Sequence, residues 1–304
     1  MEGSNYWSTF DAASAYWSIP LSEGDKEKTA FSVPRGKFEF NVTPYGLCNA
    51  GSTYQRMMDM CLSGLRTDRI LAYMDDIIVF NKTFEDHLLS LRSLFERLRT
   101  GNISLKASKC EVGYSKVNFL GYELSSEGIR PQERLTEAIN SFKRPECRKE
   151  VRRFIGLTGF YRSFIKNFSE ISAPLSRLTS DNVPFTWDKN CENSFLALKT
   201  SLLTKPVLLF PRPGEKFFLE VDGSECAVGG VLSQYGSDGQ LHPVAFFSST
   251  LTPAQRTWST HTIETFALVL ATRHWYTYLI GTEFTVLSDY NFPQKEICTL
   301  DIGA

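Results

Sequence analysis

Two adjacent aspartates, Asp75 and Asp76, lie within the apolar stretch ILAYMDDIIVF at residues 70–80. Neighbouring carboxylates repel one another and each loses solvation in apolar surroundings, so the pair is costly unless a cation compensates. A third acid, Asp11, ends another apolar stretch upstream. Two strands that carried Asp11 and Asp75 side by side could hold two divalent cations ~4 Å apart, an arrangement used for phosphoryl transfer.

A second set of acids lies near the end of the sequence. Asp222 follows an apolar run, Glu264 lies in a helical pattern, and Asp289 follows another extended run. Acids at two strand ends and in a helix are arranged as in an RNase H fold, where carboxylates hold two Mg²⁺ for phosphodiester hydrolysis.

Regular elements are predicted around both sets of acids. Residues 70–80 are predicted to form a strand, a turn and a strand, which places Asp75 and Asp76 at the turn. The segment from Thr83 to Asp86 resembles a capping box, and the apolar spacing that follows predicts a helix up to Gly101. The remaining predicted elements are strands at 7–11, at 228–234, at 242–248 and at 284–288, a strand that ends in Asp222, and a helix over 262–279.

The region between the two sets is predicted to be helical and basic. Between residues 143 and 177 there are nine Lys or Arg residues against three Glu. Such a run is usually a solvated helix face, and a phosphate-binding surface is the alternative. Prolines predict the joints between these helices, at Pro131, Pro145, Pro174, Pro184 and Pro206.

Composition excludes several classes of protein. The 304 residues are 42% apolar, enough to build cores for two ordinary domains, and the net charge of −1 argues against a uniformly basic nucleic-acid binder. Seven cysteines without a Cys-x-x-Cys and four histidines without a zinc-like spacing argue against a disulfide framework or a zinc site. No apolar run reaches the ~18 residues of a membrane helix. Asp222 is followed by Gly223, which argues against an aspartic protease.

Motifs quoted in order give a more specific identification. FDAASAYWSIPL, KTAFSVPRGKFEFNVTPYGLCNAGSTYQRMMD, YMDD and FLGYELSSEGIRP, within residues 7–131, resemble the reverse transcriptases of long-terminal-repeat retrotransposons of the gypsy class. VDGSECAVGGVLSQ, the segment around Glu264 and FTVLSDYNFP resemble the RNase H segments of the same elements. The resemblance implies an α+β multidomain fold: a reverse-transcriptase palm at 1–125 with most of the fingers missing, a helical thumb or connection at 126–212, and a C-terminally truncated RNase H-like α/β domain at 213–304.

The resemblance also implies roles for individual residues. Asp11, Asp75 and Asp76 would be catalytic and metal-binding in one site, and Asp222, Glu264 and Asp289 in the other, with two Mg²⁺ per site and Mn²⁺ as the alternative metal. Nucleotide-binding residues would be Tyr16, which excludes a ribose 2′-OH, together with Tyr45, Gly46 and Gln55. The nucleic-acid surface of the thumb would be formed by Lys143, Arg144, Arg148, Lys149, Arg152 and Arg153.

Two departures from the family pattern are visible. Gly51 stands where the family usually has proline, which loosens the start of the helix that carries Gln55. The third RNase H motif usually reads Thr-Asp-His and here reads Ser288-Asp289-Tyr290, and the match ends after Phe292.

The expected partners are an RNA template, a DNA primer, their hybrid and deoxynucleoside triphosphates, with no membrane. The expected location is the cytoplasm, in a retrotransposon particle, with entry to the nucleus. The predicted function is RNA-directed DNA polymerase with RNase H. Two alternatives are an inactive nucleic-acid-binding remnant of the same element and a scaffold without any nucleic-acid role.

Overall fold

The computed structural model describes residues 1–65, 69–204 and 206–287. Within these residues the chain divides into two units, one spanning Gly3–Ser126 and the other beginning at Glu127. Asp289 and the residues after Phe292 lie outside the described residues.

The first unit is built on a four-stranded antiparallel sheet with the order β4-β5-β1-β6. Its elements in chain order are β1 Tyr6–Asp11, α1 Glu23–Lys26, β2 Phe31–Val33, β3 Gly36–Phe38, α2 Ala50–Leu62, β4 Ile70–Tyr73, β5 Asp76–Asn81, α3 Phe84–Thr100, β6 Glu111–Tyr114, β7 Lys116–Phe119 and β8 Tyr122–Ser125. Strands β7 and β8 form a separate hairpin. The predicted strand, turn and strand at 70–80 is confirmed.

Helices α2 and α3 cover the core of this sheet. Ile77 and Val79 of β5 alternate with residues of the other face and pack with Leu94 of α3 and Met58 of α2. The hydroxyl of Thr83 accepts a hydrogen bond from the backbone N–H of Asp86 at 3.2 Å, which confirms the predicted helix start. Burial of these apolar side chains fixes which face of β5 points inward, and therefore fixes its register against β1.

The second unit combines four longer helices with a second sheet of order β12-β11-β10-β13. Its elements are β9 Gly128–Pro131, α4 Glu133–Asn140, α5 Arg148–Phe160, α6 Phe168–Arg177, α7 Lys189–Leu203, β10 Phe217–Gly223, β11 Ala227–Tyr235, β12 Leu241–Thr250, α8 Thr260–His274, α9 Tyr276–Leu279 and β13 Phe284–Leu287. Strand β13 pairs parallel to β10, whereas β11 pairs antiparallel to both β10 and β12. Leu219 and Val221 of β10 pack with Ala267 of α8.

One proline prediction is wrong. Pro174 lies inside α6 and does not mark a joint. Proline lacks an N–H and usually breaks a helix interior. Here Phe168 and Leu175 of the same helix are buried, so packing of α6 against the sheet outweighs the lost hydrogen bond.

Among the described helices, none combines the length and the apolar content needed to cross a bilayer.

Candidate active site

Strand register brings the first set of acids together. Asp11 is the last residue of β1 and Asp76 the first of β5, and the two are direct partners across the antiparallel pair. Asp75 is held beside them, because its carbonyl oxygen accepts a hydrogen bond from the N–H of Ala12 at 2.8 Å. Opposed residues of an antiparallel pair have Cβ atoms only about 5 Å apart, so the carboxylates of Asp11 and Asp76 are neighbours.

The turn that presents Asp75 is fastened by Gln55 of α2. Met74 adopts a left-handed conformation with φ 52°, which only a few residue types tolerate easily. The N–H of Met74 donates to Oε1 of Gln55 at 2.6 Å, and Nε2 of Gln55 donates to the carbonyl oxygen of Ala72 at 3.2 Å and to Asp59 at 2.8 Å. Gln55 thus positions the acid turn here, and its nucleotide contact stays a prediction.

Lys109 is a residue of the candidate site that the sequence analysis missed. It ends a short 3₁₀ helix, Ala107–Lys109, and its Nζ lies 2.6 Å from Oδ2 of Asp11. The only signal in the sequence was its position two residues before Glu111, which starts the strand that pairs with β1. That pairing joins distant parts of the chain and cannot be read from local patterns.

The electrostatics of the site follow from crowding of like charges. Burial raises the pKa of Asp76, the carboxylates of Asp75 and Asp11 raise it further, and the ammonium of Lys109 lowers it. The hydrogen bond to Asp11 in turn raises the pKa of Lys109. Burial, followed by the charge of Asp75, raises the pKa of Tyr54 to about 12.

A cavity of about 190 Å³ opens beside the acids. It extends from Asp11 and Asp76 to the β7–β8 hairpin. Its lining residues are Thr9, Phe10, Asp11, Asp76, Lys109, Glu111, Asn118, Phe119 and Leu120.

The aromatic residues predicted to bind nucleotide form one cluster. The ring of Tyr16 lies 5.5 Å from that of Tyr45 and 6.0 Å from that of Tyr54, both edge-on. Tyr45 is 66% exposed, and Gly46 after it has φ 97°. A Cβ added at Gly51 would lie 3.4 Å from Cε of Met74 and 3.7 Å from the hydroxyl of Tyr16, which are ordinary van der Waals distances. The start of α2 therefore lies against both the acid turn and Tyr16.

Most of the six side chains of the predicted basic surface contact other residues of the second unit. Arg148 donates to the carbonyl oxygen of Val183, and Arg152 donates to that of Thr179 at 2.6 Å and to Asp181 at 2.9 Å. The guanidinium groups of Arg144 and Arg153 stack on aromatic rings, and Arg144 also lies 3.8 Å from Glu192. The side chains of Lys143 and Lys149 are exposed and make no hydrogen bond or ion pair with any residue that the structure describes.

In the second unit the first two acids lie at neighbouring ends of β10 and α8. A Cβ added at Gly223, directly after Asp222, would lie 3.7 Å from the backbone nitrogen of Glu264. Asp222 is exposed and borders a crevice of about 10 Å³, room for roughly one water. Asn167 and Glu170 of the α6 region line the same crevice. The third predicted acid, Asp289, lies outside the described residues.

Both sets of acids suit a divalent cation. Within the described ranges no three His, Cys, Asp or Glu side chains are already gathered as a metal site. The donor chemistry nevertheless fits, because Asp11, Asp75 and Asp76 offer hard carboxylate oxygens. In the second unit Oε2 of Glu264 is buried without a hydrogen-bond partner in the described part of the chain, and a bound cation would stabilise a carboxylate oxygen in that state.

Two parts of the chain match known protein families. Residues 1–124 match the family described as reverse transcriptase (RNA-dependent DNA polymerase), and residues 187–286 match the RNase H-like domain found in reverse transcriptase. These families generally depend on divalent metals. Residues 1–124 therefore belong to the reverse transcriptase family and residues 187–286 to the RNase H-like domains of reverse transcriptases, and the resemblance and fold class predicted from the motifs are confirmed.

Particular relatives give the scale of the similarity. The chain is 32% identical over 292 residues to the Tf2-3 and Tf2-7 transposon polyproteins of Schizosaccharomyces pombe, covering 95% of this chain but 22% of theirs. The fold resembles a foamy viral protease-reverse transcriptase in complex with double-stranded DNA, with a TM-score of 0.85 and 22% identity over 95% of this chain and 51% of that one. A second foamy viral structure, in complex with an RNA/DNA hybrid, matches with a TM-score of 0.82 and 22% identity over 94% of this chain and 39% of that one.

Proposed function

We propose that the first unit carries the polymerase centre of an RNA-directed DNA polymerase, with Asp11, Asp75 and Asp76 as its catalytic and metal-holding acids. The observation that carries the proposal is the register of β1 against β5, which opposes Asp11 and Asp76 at the end of the sheet beside the turn of Asp75. A scaffold without a nucleic-acid role does not call for these acids to meet.

Different residues around the acids would position the acids and the nucleotide. Gln55 fixes the backbone of the acid turn, so that Asp75 and Asp76 are presented in one orientation. Tyr16 would occupy the space of a ribose 2′-OH and so favour deoxynucleotides, with Tyr45 and Gly46 beneath the incoming nucleotide. Two bound Mg²⁺ ions, or Mn²⁺ in their place, would stabilise the negative charge that develops on the transferred phosphoryl group.

The substrates proposed for this unit are an RNA template, a DNA primer and deoxynucleoside triphosphates. The foamy viral protease-reverse transcriptases of similar fold form complexes with double-stranded DNA and with an RNA/DNA hybrid, and this supports the same class of duplex here. We further propose that the reaction takes place in a cytoplasmic retrotransposon particle, with later entry to the nucleus.

Primer extension tests the polymerase proposal. The wild-type chain and the Asp75→Asn/Asp76→Asn variant are compared on an RNA template with a DNA primer, deoxynucleotides and Mg²⁺. We expect incorporation by the wild type and a loss of at least about 100-fold in the variant, because charge stabilisation of this kind accounts for factors of that size. Equal background incorporation by both proteins would overturn the proposal.

A second activity, hydrolysis of the RNA strand of a hybrid, is proposed for Asp222, Glu264 and Asp289. The buried, unpartnered oxygen of Glu264 supports it, because that oxygen suits a cation. Cleavage of a labelled RNA strand in an RNA–DNA hybrid is measured for the wild type and for Glu264→Gln. Cleavage that is lost in the variant is expected; cleavage absent from the wild type, or unchanged in Glu264→Gln, would contradict this second proposal.

A further inference from the structure

The ammonium group of Lys109 lies beside the acids and forms an ion pair with Asp11. Its Nζ lies 2.6 Å from Oδ2 of Asp11, and its side chain is 54% exposed, whereas that of Asp11 is only 16% exposed. The lysine end of the pair therefore faces solvent, while the carboxylate is held in the site. Lys109 also shares the wall of the 190 Å³ cavity with Asp76.

We propose that Lys109 is an internal counter-ion that competes with a divalent cation for Asp11 and so weakens metal binding by the substrate-free chain. The inference rests on the proposed function in one respect, namely that Asp11, Asp75 and Asp76 hold the metal. It adds a positioning residue that tunes how readily the metal enters.

The competition follows from charge and from shared lone pairs. Three neighbouring carboxylates repel one another, and the ammonium of Lys109 relieves that repulsion. A divalent cation supplies the same relief more strongly, but the ammonium repels it and takes up one of the lone pairs that Asp11 can offer. Metal binding is therefore favoured when the side chain of Lys109 leaves Asp11.

The backbone around Lys109 allows this displacement without unfolding. The N–H of Lys106 donates to the carbonyl oxygen of Asp11 at 2.8 Å, and the N–H of Lys109 donates to that of Lys106 at 2.9 Å. The segment stays tied to β1 by its main chain. Only the long, exposed side chain of Lys109 has to swing into solvent, which costs little.

Direct metal binding tests the proposal. Free Mn²⁺ is measured by electron paramagnetic resonance during titration of the full chain, without nucleotide or nucleic acid, for the wild type and for Lys109→Gln. We expect Lys109→Gln to bind Mn²⁺ about fivefold more tightly, the scale of a partly exposed ion pair. Equal or weaker binding by Lys109→Gln would overturn the proposal.

Two further variants separate this effect from a general change in charge. Lys116→Gln is the matched control, because Lys116 is 65% exposed and pairs with Glu123 at 3.3 Å, and Glu123 is not one of the three acids; its Mn²⁺ affinity should equal that of the wild type. Lys109→Arg keeps the charge and can pair with a carboxylate through two hydrogen bonds, so it should bind Mn²⁺ no more tightly than the wild type. Tighter binding by either variant would count against the counter-ion role, and Lys109→Arg keeps the test informative if Lys109→Gln fails to fold.

The outcome is distinguishable from failure of the proposed function. If Lys109→Gln tightens Mn²⁺ binding while the wild type does not extend a primer, the counter-ion stands and the polymerase proposal fails. If the wild type extends primers and its Mn²⁺ affinity does not respond to Lys109→Gln, the counter-ion alone is overturned.

Discussion

At the scale of single residues, His87 is buried in a hydrogen-bond network that suits only a neutral ring. Oδ1 of Asn81 can only accept, so Nδ1 of His87 donates to it at 3.0 Å. Nε2 then accepts from the hydroxyl of Ser8 at 2.7 Å, and the same hydroxyl oxygen accepts from the N–H of Gly113 at 3.0 Å. A second proton on the ring would place a charge in this buried site and reverse the bond with Ser8, because Nε2 could then only donate.

The network predicts a loss of stability in mild acid. Burial lowers the pKa of His87 in the folded chain below the unfolded value of about 6.5. As the pH falls, the unfolded chain therefore binds the extra proton before the folded chain does. The contribution of neutral His87 to the free energy of unfolding is complete above about pH 6.5. It falls as the pH drops toward the folded pKa, by at most about 1.4 kcal/mol per pH unit. Urea unfolding at pH 7.5 and 5.5 measures it, with His87→Gln as the comparison. The variant should be less stable at pH 7.5 but show a smaller loss on acidification; identical losses would contradict the prediction.

Tyr54 gives the second prediction at this scale. Its side chain is fully buried, and its hydroxyl has no hydrogen-bond partner among the described residues. A buried hydroxyl without a partner loses its hydration and gains nothing in exchange. Tyr54→Phe should therefore raise the free energy of unfolding by about 1 kcal/mol and raise the Tm in a thermal melt. A lower Tm would show that the hydroxyl contributes to the folded state.

At the scale of elements, the junction between α2 and the acid turn depends on one side chain. Gln55→Met keeps the length of the side chain but removes the acceptor for the N–H of Met74 and the donor to Ala72. We expect a loss of about 1–2 kcal/mol in stability and faster hydrogen exchange at the amide of Met74. Asp59→Asn is the control, because it leaves both contacts of Gln55 with the turn in place. An exchange rate at Met74 that Gln55→Met leaves unchanged would refute the role of Gln55.

The elements also show which features were readable from sequence. Alternation and capping predicted β1, the β4–β5 hairpin and α3, because these signals are local. The ion pair of Lys109 with Asp11 was not predictable, because it depends on pairing between strands that are distant in the chain. The prediction for Pro174 was wrong for the opposite reason. The local rule that proline ends a helix did not hold, because the packing of α6 stabilises a helix that contains it. The acids could be listed from the motifs, but the contacts that hold them could not.

At the scale of the whole molecule, a net charge of −1 gives no general attraction to nucleic acid. Any binding must therefore come from a local surface. The structure reduces the number of basic side chains that are available on the predicted thumb surface. Of the six basic residues predicted for the thumb, four are engaged with carbonyl groups, carboxylates or rings of the second unit, whereas Lys143 and Lys149 are free within the described residues. These two lysines are the side chains best placed to meet phosphates.

The salt dependence of binding distinguishes free from engaged basic residues. Each phosphate contact adds about one unit to the slope of log Kd against log salt, so Lys143→Gln/Lys149→Gln should lower the slope for an RNA–DNA hybrid by about two. Arg152→Gln removes the same charge from a side chain that holds Thr179 and Asp181. It should leave the slope unchanged and reduce the stability of the second unit by about 1 kcal/mol.

Fluorescence anisotropy between 50 and 200 mM salt, as a rough working range in which such contacts are resolved, measures the slopes. A slope that falls for Arg152→Gln but not for the double lysine variant would place the nucleic-acid surface on the engaged arginines.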